Sequence, residues 1–408
     1  MRIRLLIIVF FPLIAMGQLA LQEQYPFLRT EANRIRYNGD SAGFYRFFSK
    51  LDTLIFQGKG QVNILHMGGS HVQAGILSDA MREDMLSLSP GLRGDRGFFF
   101  PFRLAGTNNP RNYVVSYTGE WDGQRSSVPS HQSRWGASGI TALTLDSNAT
   151  FSIRAINRDT GTYRFDRFRL FYLVDDTSFV PEFEPTGLVD TVISHPDTNY
   201  VEFRLKQFTG EINIRLRKTS PIQKRFLLQG VQHVSNDPGL VYHAIGVNGA
   251  SVKSYLGCVD FTSQLAKIHP DLVIFGIGIN DAYKPEDVFT KEEFVSRYDT
   301  LVMEIRKINP NAVFLFMTNN DSYYKRRYPN PNIFKVVEGM EELAGKYNGA
   351  WWDLFTVMGG FNSIKLWDSE GLASRDRIHF TRRGYELQAE LFFFAFRRSY
   401  AQYCKWQR

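Results

Sequence analysis

Residues 64–75, "ILHMGGSHVQAG", run from apolar positions into two glycines, then Ser70 and His71, then residues able to start a helix. On a sharp turn from strand to helix, a serine hydroxyl is lifted out of the backbone into reach of a substrate. The same residues also suit an ordinary loop, and the choice rests on what the rest of the chain places beside them.

On the amino-terminal side, "FYRFFSKLDTLIFQG" (44–58) repeats its apolar positions at helical spacing and stops at Gly58. "VNILHM" (62–67) reads as a buried strand and "VQAGILSDAMREDMLSL" (72–88) as the helix after it. The alternation resumes far downstream. Strands are expected at "DLVIFGIG" (271–278), "AVFLFMT" (312–318) and "AWWDLF" (350–355), and helices around 291–308, 333–347 and from about Arg382. Apolar strands alternating with amphipathic helices imply a parallel sheet covered on both faces. In such sheets, sites form outside the carboxyl ends of the strands.

Between Tyr113 and Leu228 the pattern changes. Short alternating runs such as "ALTLD", "TFSIRAI", "FRLFYLV", "YVEFRL" and "EINIRLR" are separated by Gly, Asp, Asn and Pro. This is the pattern of a β-sandwich or jelly roll. The expected organisation is therefore a leader at 1–17, an α/β domain in two parts at 18–110 and 229–408, and an inserted all-β domain at 111–228.

The leader follows from Arg2 and Arg4 ahead of "LLIIVFFPLIA", with small residues up to Gly17. A spanning helix needs roughly 20 apolar residues, and this run is shorter and contains Pro12. Export, periplasmic or extracellular, is expected, with no stable membrane insertion after cleavage. The formal charge of +7 includes those two arginines, and the 43 % hydrophobic content is ample for real cores. Cys258 and Cys404 read as ordinary buried or terminal thiols.

Four segments gather at the carboxyl edge of such a sheet: Ser70 on its turn, Gly249 in "HAIGVNGASV", Asn280 after "VIFGIGIND", and Asp376 and His379 in "SRDRIHFTRRGY". A serine is a weak nucleophile until an imidazole takes its proton, and the imidazole needs a carboxylate to fix its tautomer. Ser70 is expected to attack, His379 to act as base and Asp376 to orient it. The N–H groups of Ser70 and Gly249 and the Asn280 amide are expected to form the oxyanion hole.

With these residues in place, the chain resembles the SGNH (GDSL-type) hydrolases, whose four blocks stand here, in the family's order, as "GGSH", "GVNGAS", "GIND" and "DRIH". The resemblance covers roughly 60–105 and 240–400 and implies a three-layer α/β/α fold. The β insertion and "GDRGFFFPFRLAGTNNP" (94–110) are similar to peptidoglycan O-acetylesterases, in which a carbohydrate-binding-module-like β domain interrupts that fold. In one place the chain departs from the family. Gly69 stands where an aspartate usually braces the nucleophile turn, which removes an acceptor and adds backbone freedom.

The blander readings compete residue by residue. Ser70 alone is a solvated turn serine, His379 a surface histidine near a helix start, and Asn280 and Gly249 turn residues. Asp281 is read as structural. "GIGIND" lacks the third glycine of a dinucleotide loop. His66 and His71 have no third ligand at zinc-like spacing, so neither metal nor cofactor is expected, although His71 is well placed to touch substrate. "KRRY" (325–328) and "TRRGY" (381–385) read as solvated faces, with no nucleic-acid partner implied. Trp121 and Trp135 suit a sandwich core better than a sugar platform.

Taken with the resemblance, the expected activity is an exported serine esterase removing O-acetyl groups from peptidoglycan or another acylated envelope polysaccharide. Two alternatives stay open. One keeps the same triad in an O-acyltransferase, lipase or thioesterase; the other is a catalytically weak glycan-binding relative, for which Gly69 speaks.

Overall fold

The computed structural model describes residues 17–156 and 163–406. Apart from Gly17, the expected leader lies outside the described residues.

The central sheet is built from β1 (Ile35–Tyr37), β2 (Gln61–Gly68), β3 (Gly94–Asp95), β4 (Gly239–Gly246), β5 (Leu272–Gly276), β6 (Val313–Met317) and β7 (Ala350–Trp352). Their order is β1-β7-β6-β5-β2-β4-β3. All neighbours are parallel except β1, which caps the β7 edge antiparallel.

Because side chains alternate along a strand, each central strand feeds two cores. Val273 and Phe275 of β5 and Phe314 and Phe316 of β6 enter one core with Phe294, Tyr298 and Met340. Ile274, Leu315 and Met317 enter the other with Phe44, Phe48, Phe392 and Phe396. The first set comes from α1 (Lys291–Ile308) and α2 (Asn332–Lys346), the second from the helix Ala42–Gln57 and the closing helix Arg382–Trp406. The result is the three-layer SGNH hydrolase fold. The helix Ala42–Gln57 buries Phe44, Phe47, Phe48, Leu51 and Leu54 and ends at Gly58, in the left-handed conformation that closes helices.

The β-rich region forms two facing antiparallel sheets. One has four strands, Tyr113–Tyr117, Thr150–Ala155, Ile212–Arg217 and Val180–Phe183; the larger one is organised around Phe165–Tyr172, Tyr200–Thr209 and Phe226–Val234. Phe151, Phe168, Phe183, Phe203, Ile214 and Phe226 fill the space between them. Trp121 and Trp135 pack against this core, and each indole N–H donates to a backbone carbonyl, of Thr118 and Gln124 respectively.

At the junctions the strands run past the boundaries read from the sequence. Phe226–Val234 continues through the 228/229 position and pairs with Phe165–Tyr172, and Phe98–Phe99, ahead of residue 111, pairs with it too. Phe226–Val234 is buried along almost its whole length, so its apolar run does not break at residue 228.

This β-rich region is tied to the α/β layers beside the Gly249 loop. Arg134 grips Asp260 through two 2.7 Å hydrogen bonds, Gln229 donates to Asp260 at 2.8 Å, and Ser127 Oγ donates to the Asn248 carbonyl at 2.6 Å.

Candidate active site

The register of the central sheet builds the turn that carries Ser70. Gly246 of β4, Gly68 of β2 and Gly276 of β5 lie side by side at the carboxyl edge. A Cβ on Gly68 would come within 2.3 Å of Val72 Cγ2, and one on Gly246 within 2.7 Å of the Gly69 carbonyl. Both distances are impossible for a side chain, so these glycines let the short helix Ser70–Gln73 sit directly on the sheet edge. Ser70 is its first residue.

The turn is braced without an aspartate. The Gly69 carbonyl accepts from the Val72 and Gln73 N–H groups at 3.2 and 3.0 Å, and Tyr255 Oη donates to the Gly68 carbonyl at 2.7 Å. Gln73 is buried and joins two further pieces: its Oε1 accepts from Asn248 N at 2.6 Å and its Nε2 donates to the Asn108 carbonyl at 3.0 Å. These braces offset the freedom that Gly69 introduces.

The structure brings Ser70, His379 and Asp376 into one hydrogen-bonded chain. Ser70 Oγ lies 2.8 Å from His379 Nε2, and His379 Nδ1 lies 2.7 Å from Asp376 Oδ2. An ionised carboxylate only accepts, so Nδ1 carries the proton and Nε2 offers its lone pair to the serine hydroxyl. Asp376 Oδ1 also accepts from the N–H groups of Ile378 and His379, at 2.9 and 3.0 Å. Burial alone would raise its pKa. The hydrogen bonds from the His379 ring and the two backbone N–H groups outweigh burial and hold the carboxyl well below the usual carboxylate range.

The loop carrying the pair is fixed from both sides. Tyr323 N donates to the Arg377 carbonyl at 2.9 Å, Asn320 Nδ2 to the Ile378 carbonyl at 3.0 Å, and Ser374 N to the His379 carbonyl at 2.8 Å. His379 retains 36 % of its side-chain exposure, so the chain of three residues faces an open surface, within reach of a bulky substrate.

Asn280 and the Gly249 loop close around Gly69. Asn280 Nδ2 donates one hydrogen to the Ala250 carbonyl at 2.9 Å and lies 3.1 Å from the point where a Gly69 Cβ would stand. Among the described residues its second amide hydrogen has no acceptor. Among the described residues, neither the Ser70 nor the Gly249 N–H has a protein acceptor. Gly249 holds φ +80°, a conformation that suits glycine. Asp281 is fully buried and accepts from Val252 N at 3.1 Å, tying the Asn280 loop to the segment after Gly249. Burial pushes its carboxyl up to about 6, against the pull of that N–H and of Arg297.

His71 stacks on His379, centroids 5.1 Å apart and planes 26° from parallel, and its Nδ1 pairs with Tyr385 Oη at 3.0 Å. Burial, followed by the neighbouring His379, pushes His71 down to about 3, so it stays neutral at ordinary pH. Nothing local in the sequence marks Tyr255 or Tyr385, and Gln73 is marked only as a glutamine on the apolar side of the helix after Ser70. His66 is fully buried, with Nδ1 3.0 Å from Tyr242 Oη.

Fold and site geometry together are similar to those of the SGNH-type serine ester hydrolases. More particularly, residues 223–387 match the GDSL-like Lipase/Acylhydrolase family model, a span that holds Gly249, Asn280, Asp376 and His379 but begins after Ser70. A solved peptidoglycan O-acetylesterase superposes with a TM-score of 0.72 at 19 % identity, covering 90 % of this chain and 99 % of the other. A lipase/acylhydrolase from Enterococcus faecalis (TM-score 0.31, 22 % identity, 40 % of this chain and 78 % of that one) and an acetyl xylan esterase (TM-score 0.30, 22 % identity, 37 % and 78 %) also match. No curated protein matches the chain.

Proposed function

We propose that this protein is an exported esterase that removes O-acetyl groups from peptidoglycan or a related acylated envelope polysaccharide. The observation that carries the reading is the continuous relay Ser70–His379–Asp376, with contacts of 2.8 and 2.7 Å, on a fold shared over nearly its whole length with a peptidoglycan O-acetylesterase.

In this reading His379 Nε2 takes the Ser70 proton as Oγ attacks the ester carbonyl, and Asp376 stabilises the imidazolium that results. The second Asn280 amide hydrogen and the N–H groups of Ser70 and Gly249 stabilise the oxyanion. His379 then protonates the departing sugar oxygen as its bond to the acyl carbon breaks, leaving an acetyl-serine. Water, deprotonated by the same histidine, releases acetate. The exposed position of His379 suits a short acyl group on a large polymer, which cannot enter a deep cavity. The segments 18–110 and 229–408 are taken as the hydrolase domain, joined to the β-rich region through Phe98–Phe99 and Phe226–Val234, and the β-rich region as the part that seats the polymer. Among the described residues, no helix is long and apolar enough to cross a membrane.

Purified mature protein is expected to release acetate from O-acetylated peptidoglycan and from a chromogenic acetate, and to show an acetyl-Ser70 adduct by mass spectrometry after acid quench. Transfer of acetyl to an added glycan without acetate release would favour an acyltransferase instead. Binding of the glycan with no turnover of any ester would leave a carbohydrate-binding protein.

His71 has a definite place in this scheme as a positioning residue. Its neutral ring holds the plane of His379 without repelling the imidazolium. His71→Ala is expected to lower kcat about tenfold with little change in KM, and His71→Phe, which keeps a flat ring, to retain most of the activity. Equal losses in both variants would refute the stacking role.

A further inference from the structure

The basic run Lys325-Arg326-Arg327, read from sequence as a solvated face, occupies a defined place beside the site. Tyr323–Tyr324 and Tyr328–Pro329 pair as a small antiparallel hairpin, and the three cations form its exposed tip. The hairpin is docked on both loops that carry the candidate catalytic groups. Toward His379, the Tyr323 N–H donates to the Arg377 carbonyl, two residues before the histidine, and the Arg377 guanidinium lies 5.1 Å from the Tyr323 ring. Toward Asn280, Asn330 Nδ2 donates to the Ala282 carbonyl at 2.9 Å, and Tyr324 packs on Tyr283 with centroids 5.1 Å apart.

Two further facts set this tip apart from an ordinary charged loop. Lys325 and Arg326 both hold left-handed backbone, φ +51° and +57°, where asparagine or glycine is the usual choice. The chain therefore keeps long cationic side chains at positions whose geometry favours other residues. In addition, the three tip cations have no carboxylate partner among the described residues, whereas nearby Arg377 is neutralised by Asp368 at 3.2 Å. Lys325 Nζ lies 5.2 Å from the Tyr324 ring and the Arg327 guanidinium 5.9 Å from the Tyr328 ring. The tip thus joins flat aromatic faces, on which sugar rings stack, to unneutralised positive charge.

We propose that this hairpin is a specificity element that selects acylated polysaccharides carrying carboxylates close to the ester, and that Lys325, Arg326 and Arg327 read those carboxylates while Tyr283 and Tyr324 support the adjoining sugar. The proposal rests on the esterase reading above and adds to it the charge of the preferred polymer. Contacts between exposed charges act over about 30 Å at 0.01 M salt and about 8 Å at 0.15 M, so the preference is salt-sensitive.

The test is the triple variant Lys325→Asn, Arg326→Asn, Arg327→Gln, which removes the charge with residues that tolerate the turn. The quantity to measure is kcat/KM on O-acetylated peptidoglycan divided by kcat/KM on uncharged acetylated xylan, at low and at physiological salt. The ratio is expected to fall about tenfold at low salt, through KM on the anionic polymer, and to lose its salt dependence. A ratio within twofold of wild type, with the same salt dependence, would overturn the proposal. A second arm needs no turnover: co-sedimentation of wild type and variant with de-O-acetylated peptidoglycan. If the wild type cleaved no ester, the esterase reading would fail. The hairpin proposal would then stand or fall on whether the variant loses binding.

Discussion

Ser70→Ala is expected to lower kcat/KM on acetate esters by roughly a thousandfold or more, equivalent to about 4 kcal/mol of lost transition-state stabilisation, with the fold intact. The geometry explains both halves of that outcome. Among the described residues the hydroxyl makes one side-chain hydrogen bond, to His379 Nε2 at 2.8 Å, and water can replace it because His379 is partly exposed. The turn itself is held by backbone groups and by Tyr255, none of which involves the hydroxyl. Glycan binding and the thermal midpoint should therefore stay close to wild type while acetate release and the acyl-enzyme adduct disappear. Steady-state kinetics beside a melting curve decides the matter. Retained activity in the alanine variant would mean that acyl transfer does not pass through Ser70, and the whole assignment of roles would fall with it.

Much of this architecture was legible because its signals are local. Helix Ala42–Gln57 announces itself through five apolar residues on one stripe and a terminal glycine, and β5 and β6 through unbroken apolar runs. The four chemistry-bearing segments could be placed at one sheet edge from topology alone, since parallel strands all end on the same side. What could not be read depends on contacts distant in sequence. Strand β4 is not legible locally because Tyr242 and His243 interrupt its apolar run; both are buried, with His243 Nδ1 accepting from Phe98 N at 2.9 Å. The braces that stand in for the missing aspartate join residues far apart: Tyr255 to Gly68 across 187 positions and Gln73 to Asn248 across 175. No local pattern signals such pairs. The same is true of the basic hairpin, whose composition matches any solvated loop until Tyr323 and Asn330 fix it between the Asn280 and His379 loops.

Asp376→Asn should be nearly as damaging as loss of the serine, by a different route. Asparagine is close to the same shape, and its Oδ1 can continue to accept from the Ile378 and His379 N–H groups, so the loop is expected to hold its form. That choice turns the amide nitrogen toward His379 Nδ1. A donor facing Nδ1 makes that nitrogen an acceptor and moves the imidazole proton to Nε2, the atom that must receive the Ser70 proton. The base is then in the wrong tautomer, and an imidazolium would have no carboxylate opposite it. A loss of about 10³–10⁴-fold in kcat follows from tautomer and charge together. The acid side of the stability profile supplies an independent check. Because the folded-state pKa of Asp376 is depressed, its contribution to stability is present above the ordinary carboxylate range near 3.9 and is lost as the pH falls toward the folded value. The asparagine variant should melt with a shallower dependence on pH below about 4 than the wild type. Full activity in Asp376→Asn, or an unchanged acid limb, would show that the 2.7 Å contact to His379 does not govern the ring.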